Sequence, residues 1–400
     1  IFTAGWDKLN NHISSGYLIP LNGDPDYGNL LEEYGQDIIA NIDPSYIAGN
    51  EIDGVLYGIS CNKELAANHG LVFNTALVDK YGFDVSTIKT LRDLEPMLEV
   101  IKANEPDLLA PFGTNDTGLG FFAPFVELAG DGNMAAQYDD DRDTTVINPY
   151  GTPEWYELWE IMYDWYQKGY INKDILQTGS TYEADYQSGL YFVIPQSMKP
   201  GKGAEQSVNG VASLEVVLTP TVIRTKDVSG SMIAIVEGSQ NPERSMAFLN
   251  LLESDPYLIN LIVFGLEGTH YNVADADAGI IEVLPAGDER YSMKGNAWMM
   301  GNQFMNYITT AEAPDKWEQF IAFNADGNPV VSLGFNYVIS PDMMPTLSAL
   351  INVKTEFNTL FVGQSDPAVA AAEFNAALEA AGLAEYLADV QAQFDAWYAE

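Results

Sequence analysis

The sequence predicts a mixed α/β protein of two lobes, and three observations carry that reading. The chain has 400 residues, more than one hydrophobic core usually supports. Residues 1–112 alternate short apolar runs of strand length with helical stretches, the pattern of a mixed α/β domain. Residues 110–120, APFGTNDTGLG, are rich in glycine, proline and small polar residues, as suits a crossover between domains. Hydrophobic residues at 47% and aromatic residues at 12% fill two cores and exceed what a disordered chain carries.

In chain order, Leu18-Ile19-Pro20-Leu21 follows a helical stretch, and Val55–Ile59 reads as a strand entered by the Asp53-Gly54 turn. Leu71–Asn74 is a further strand leading into a helix near Thr75–Tyr81, and a helix covers about Leu91 to Ala103. The second region opens on FFAPFVELAG, read as an aromatic helix start, followed by the acidic tract YDDDRDTT and a strand at Val146-Ile147-Asn148. Pro153 to Gly169 is a helix, because Trp155, Trp159, Met162 and Tyr166 recur on one stripe and Gly169 stops it. That stripe reads as core. Leu190–Pro195 and Val216–Leu218 are strands, Pro220 to Lys226 is a return to the first lobe, and Ser231–Val236 is a buried strand. The tail from Asp366 to Glu400 is an Ala-rich helix or helix pair, with Leu378, Leu383, Leu387, Val390 and Phe394 on its apolar face.

The most informative stretch is Ser239–Tyr271, SQNPERSMAFLNLLESDPYLINLIVFGLEGTHY. Asn241 caps a helix with Pro242 at its first position, where a missing N–H costs nothing. Met246, Phe248, Leu249, Leu251 and Leu252 supply the apolar face, and Asp255-Pro256 ends this helix and starts another. Leu258 to Phe264 continue it until Gly265 and Gly268. By physics alone this is a buried helical pair. The order of its parts resembles a segment of the extracellular solute-binding proteins of ABC importers, in the carbohydrate-associated group that includes the maltodextrin-binding proteins. There an NPE-type helix start, an aliphatic LNLL run, a D-P turn and a YGxEGxHY-like end occur in that order; here Phe264 stands for the tyrosine of the YG pair. The resemblance implies a two-lobed periplasmic-binding-protein-like fold with a hinge and an interlobe cleft.

Composition limits the function. The net charge is −39, from 57 Asp and Glu against 18 Lys and Arg. Such a field argues against nucleic acid and anionic membranes and disfavours a small anionic ligand, while a neutral sugar meets no such penalty. The single cysteine, Cys61, excludes an internal disulfide and a Cys-rich metal site. His12, His69 and His270 show no metal-ligand spacing, and no cofactor is expected. The tract Asp139–Asp143 invites a calcium reading, but it lacks the central glycine of an EF-hand loop, and Tyr150 stands where the terminal Glu belongs. No GxSxG elbow, Walker loop or complete GxGxxG is present, and no acid pair is nominated by spacing.

Sugars present apolar C–H faces and a ring of hydroxyls, which proteins meet with aromatic rings and amide or charged side chains in a cleft. Three places combine such groups. Trp6, Asp7 and Lys8 follow a strand ending near Phe2, in a loop similar to the sugar-contacting loop of maltodextrin-type binding proteins, and Ile13–Leu21 continue as that family's AxSGLLxxL-like helix and turn. Asn22 to Asn29 is an extra loop. Phe121-Phe122 before Pro124 resembles the family's aromatic pair in the second domain, with Ala123 where a tryptophan could stand. Trp298, Asn302 and Gln303 lie in a GNQF segment similar to a Gram-positive lipoprotein subgroup, whose C-terminal region continues through Trp317, Phe323-Asn324 and Leu333–Phe335 much as this chain does. Asn62 joins the candidate set.

The resulting expectation is the substrate-binding component of an ABC transporter. It captures a neutral sugar or oligosaccharide between two lobes by hinge closure and does no bond chemistry. Lobe 1 is expected to comprise 1–112 plus 225–295, and lobe 2 113–224 plus 296–400, with crossovers near 110–118 and 219–228. The expected partners are a sugar and a membrane permease, with no nucleic acid, and the protein is expected to be a monomer. The opening residues IFTAGW already read as a strand entering a loop, so the resemblance implies further strands and a lipid-anchored cysteine upstream. The alternatives are a secreted carbohydrate-acting enzyme with an unrecognised carboxylate pair and a cell-surface adhesion module.

Overall fold

In the computed structural model, residues 2–4, 9, 12–13, 15–129, 134–140, 144–178, 181–208, 210–290 and 296–399 are described. They form two compact units, each from separate chain segments: 1–66 with 223–338, and 67–222 with 339–400.

In the first unit, the strand Met232–Ala234 lies between Phe2–Ala4 and Gly58–Ser60, antiparallel to both. Its three residues are buried, as the expected buried strand Ser231–Val236 requires. Helix Pro242–Ser254 packs beside Leu30–Tyr34 and Gln36–Asn41 through Met246, Leu249 and Leu252, the 3.6-residue face that meets Leu30, Ile38 and Ile259 in one core. Leu251 is 45% exposed, against its expected place on the apolar face, because it falls roughly opposite Leu249 around the helix. The Asn250 amide ties the helices together: its Oδ1 accepts from the Asp37 N–H at 2.7 Å, and its Nδ2 donates to the Asp37 carboxylate at 2.7 Å. Asp255 caps the second helix, Pro256–Phe264, by accepting from the N–H groups of Tyr257 and Leu258. The two helices meet at 89°. Asn241 occupies the first helix's cap position without a side-chain bond. A small sheet of Tyr271–Asp275, Ile280–Val283 and Ile308–Thr309 completes this unit.

The second unit is built on a four-stranded sheet in the order Ser213–Val217, Asn68–Asn74, Tyr191–Met198, Ala110–Phe112. The first two pairings are antiparallel and the last is parallel. Helix Pro153–Gln167 buries Trp155, Trp159 and Met162 of the expected stripe, while Tyr166 is only half-buried and Trp165, outside that stripe, is buried instead. Phe125–Glu127 forms a hairpin strand with Ala136–Tyr138, where the sequence suggested a helix. Pro124 breaks the run, and the Phe125-Val126 pair suits a pleated surface with a partner opposite. The C-terminal helices are Met344–Glu356, Asn358–Phe361, Pro367–Ala380 and Leu383–Tyr398, the last two being the expected helix pair.

The division differs from the expected lobes at two places. Residues 67–112 belong with the second unit, because Asn68–Asn74 takes both its sheet partners there. Residues 296–338 belong with the first. The chain therefore changes unit at 66/67 rather than near 110–118, and again at 222/223, inside the expected return segment, and at 338/339.

Candidate functional site

Trp6, Asp7 and Lys8 lie outside the described residues. Among the others, the fold gathers four candidates in the first unit and two in the second.

In the first unit, the segment Asn296–Asn306 is clamped to the helix pair. Gly301 has φ +54°, and a Cβ there would stand 2.6 Å from the Leu252 carbonyl oxygen, so only glycine permits this approach. The Asn302 N–H donates to that same carbonyl at 3.0 Å, and the Asn62 N–H donates to the Gly301 carbonyl at 3.0 Å. The Gln303 N–H donates to the Asn62 carbonyl at 2.8 Å, so Asn62, Asn302 and Gln303 are neighbours although far apart in sequence. The Asn62 and Asn302 side chains are occupied with the protein, while the Gln303 Oε1 is buried without a hydrogen-bond partner among the described residues. Asn62 Nδ2 donates to the Asn41 carbonyl at 3.1 Å, and Asn302 Oδ1 caps a short turn by accepting from the Phe304 N–H. Asn302 and Gln303 are buried.

Trp298 is different. It sits on the single turn Ala297–Met299, whose Ala297 is anchored in the core, and the residue is 38% exposed. A large ring held at the surface by a buried neighbour is a ready stacking face.

Beneath this segment lies Glu253, 2% exposed, with Oε2 buried and without a hydrogen-bond partner among the described residues. Burial pushes its carboxyl up to about 8, against a smaller opposing effect from the Asn62 amide. Nearby Cys61 is buried too, and its thiol is pushed up to about 11. Neither group reaches solvent, so neither serves as an acid or nucleophile toward an external substrate.

Also in the first unit, a cavity of about 360 Å3 is lined by His12, Tyr17, Leu18, Val236 and Glu237. Its walls are joined by the Leu18–Val236 bridge and by the Glu237 N–H donating to the Tyr17 carbonyl at 2.9 Å. Tyr17 is 60% exposed, and Glu237 accepts from the Tyr27 hydroxyl at 2.9 Å. The sequence reading nominated none of these residues. The available signal was Gly16, with φ +65° at a turn directly before an aromatic residue.

In the second unit, Phe121 and Phe122 lie on the short turn Gly120–Phe122, both half-buried. The Phe121 ring meets His69 edge-on at 5.7 Å. The Asp139–Asp143 tract is described only at Asp139 and Asp140, and no group of metal-ligating side chains stands out among the described residues.

Comparison with known proteins adds the following. Residues 2–264 match the family described as bacterial extracellular solute-binding protein, and residues 331–399 match a domain of unknown function, DUF3502. A carbohydrate ABC transporter substrate-binding protein of Streptococcus pneumoniae serotype 4 is 28% identical over 407 residues, covering 99% of this chain and 80% of its own. The crystal structure of the N-glycan transport solute binding protein NgtS from Streptococcus pneumoniae superposes with a TM-score of 0.85 at 26% identity. It covers all of this chain and 86% of that one. The same protein in complex with Man5GlcNAc matches with a TM-score of 0.79 at 25% identity, covering 99% and 85%. The alginate-binding protein AlgQ2, 16% identical with a TM-score of 0.64, covers 98% and 86% and shares the fold. These relatives are carriers of solutes and not enzymes. With a family match over residues 2–264 and a two-domain α/β architecture to go with it, the chain belongs to the bacterial extracellular solute-binding proteins.

Proposed function

We propose that this protein is the substrate-binding component of an ABC importer for a neutral oligosaccharide built of mannose and N-acetylglucosamine. The observation that carries the reading is the likeness of the whole of this chain to an N-glycan carrier, at 26% identity and a TM-score of 0.85. The chemistry on the page agrees with it. An exposed Trp298 and the half-buried Phe121 and Phe122 offer ring faces to sugar C–H groups, and the −39 charge disfavours an anionic ligand. Trp6, Asp7 and Lys8 supply a further ring and polar partners, while Asn62, Asn302 and Gln303 hold the Trp298 segment in place. The glycan is captured between the two lobes by hinge closure, which stabilises the closed form because the ligand contacts both. A monomer, tethered at the cell surface by a lipid anchor, then delivers it to a membrane permease.

Calorimetry against Man5GlcNAc, maltodextrins and an acidic glycan tests this. Binding of Man5GlcNAc with a Kd of about 1 µM or tighter is expected. Trp298→Ala should weaken it by about tenfold, the effect of losing on the order of 50 Å2 of stacked area at roughly 25 cal/mol per Å2. The melting temperature of the variant should hardly move. X-ray scattering should show a smaller radius of gyration with the glycan bound. Failure of every neutral glycan to bind, or a Trp298→Ala variant that loses stability and keeps its affinity, overturns the reading.

A further inference from the structure

The region matched as a domain of unknown function, residues 331–399, does not stand alone: from residue 339 onward it is part of the second compact unit. We infer that this C-terminal module positions the Phe121-Phe122 turn, and so sets how the second lobe grips its ligand. The inference rests on the proposed role of that aromatic pair.

Three observations carry it. The first is a backbone contact. Gly118 has φ +63°, and a Cβ at this position would overlap the carbonyl oxygen of Phe361, at the end of helix Asn358–Phe361. The chain leading into the aromatic turn therefore lies directly against the module, at a distance only glycine allows. The Gly118 carbonyl also accepts from the hydroxyl of the buried Thr114 at 2.7 Å.

The second observation concerns what stands beneath. Phe361 meets Tyr150, Trp155, Trp159 and Phe374 edge-on, with ring centroids 5.4 to 5.9 Å apart. Trp155 in turn supports the turn itself, since a Cβ at Gly120 would stand 3.1 Å from its ring. Phe361 thus braces the Phe121-Phe122 turn twice, through its own carbonyl against Gly118 and through its ring against Trp155.

The third is that the brace is itself registered. Gly363, with φ +75°, abuts the Met162 carbonyl in helix Pro153–Gln167 so closely that a Cβ would overlap it. Further along the module, Asn375 Nδ2 donates to the Tyr150 carbonyl at 3.0 Å, and Gln391 Oε1 accepts from the Val146 N–H at 2.6 Å. Contacts of this kind set a position to within a fraction of an ångström, which ring stacking on a sugar requires.

The test compares four variants for stability, for Man5GlcNAc affinity and for amide hydrogen exchange at residues 119–123. Phe121→Ala tests the underlying reading and should weaken binding by about tenfold. Phe361→Leu and Gly118→Ala should weaken binding by a similar factor in protein that remains folded, and should speed exchange at 119–123 far more than in the Asn68–Asn74 strand. Val390→Ala, in the last helix and away from the turn, should lower the melting temperature with affinity unchanged. If Gly118→Ala does not fold, Phe361→Leu and Thr114→Val decide. If Phe121→Ala keeps full affinity, or the wild type does not bind, the aromatic pair is not a ligand contact and the inference falls with that reading. If Phe121→Ala weakens binding while the Phe361 and Gly118 variants bind normally, or lose stability with exchange at 119–123 unchanged, the module is structural only and this inference alone is overturned.

Discussion

At the scale of single residues, Glu253 is a carboxyl whose burial makes a measurable prediction. Its folded pKa of about 8 stands above the ordinary value of 4.5. Below the lower value, both folded and unfolded chains hold the proton, and the group leaves stability untouched. Between the two, the unfolded chain has released its proton and the folded one still holds it. Stability therefore falls as pH rises through this window, by roughly 1.4 kcal/mol per pH unit at most. Glu253→Gln should flatten the dependence between these values, as read by urea unfolding from pH 5 to 9; an unchanged slope would show that Glu253 ionises freely in the fold. Residue chemistry of this kind was half legible. Trp298 was singled out for its indole beside amides, and it is exposed, but nothing in the spacing of Asn62 and Asn302 announced that their amides would be taken up by backbone carbonyls and a short turn. His12, Tyr17 and Glu237 were not nominated as site residues because their cavity forms only when Leu18 bridges Val236.

At the scale of elements, the helix pair Pro242–Ser254 and Pro256–Phe264 was readable because its ends are local chemistry. Pro242 and Pro256 each sit at a first helical position, and Asp255 accepts from two N–H groups of the second helix at 2.9 and 3.1 Å. Asp255→Ala should cost about 1 kcal/mol, measured by chemical denaturation, while Asp255→Asn should keep most of it. Equal losses in both variants would assign the effect to charge rather than to the cap. The hairpin strand Phe125–Glu127 was misread as helical, since a short apolar run carries no period that separates the two states, and its partner strand Ala136–Tyr138 decides the matter.

At the scale of the whole molecule, the net charge makes a prediction about the proposed ligand. With a net charge of −39, a neutral glycan should bind with a Kd that changes less than about twofold between roughly 0.02 and 0.5 M NaCl. An acidic glycan of similar size should bind more weakly and gain affinity as salt screens the field. A strongly salt-dependent neutral ligand would place charged groups at the heart of recognition. Composition, the helix pair, the aromatic core helix and the α/β class were determined by the sequence itself, because caps, periodicity and net charge are properties of neighbouring residues. The division of the chain was decided only in the tertiary structure. Asn68–Asn74 joins the second unit through strands more than a hundred residues away, and 296–338 joins the first, where Gly301 lies against Leu252. Strand partners and close backbone approaches are long-range choices, and no local pattern along the chain encodes which of several apolar strands will lie side by side.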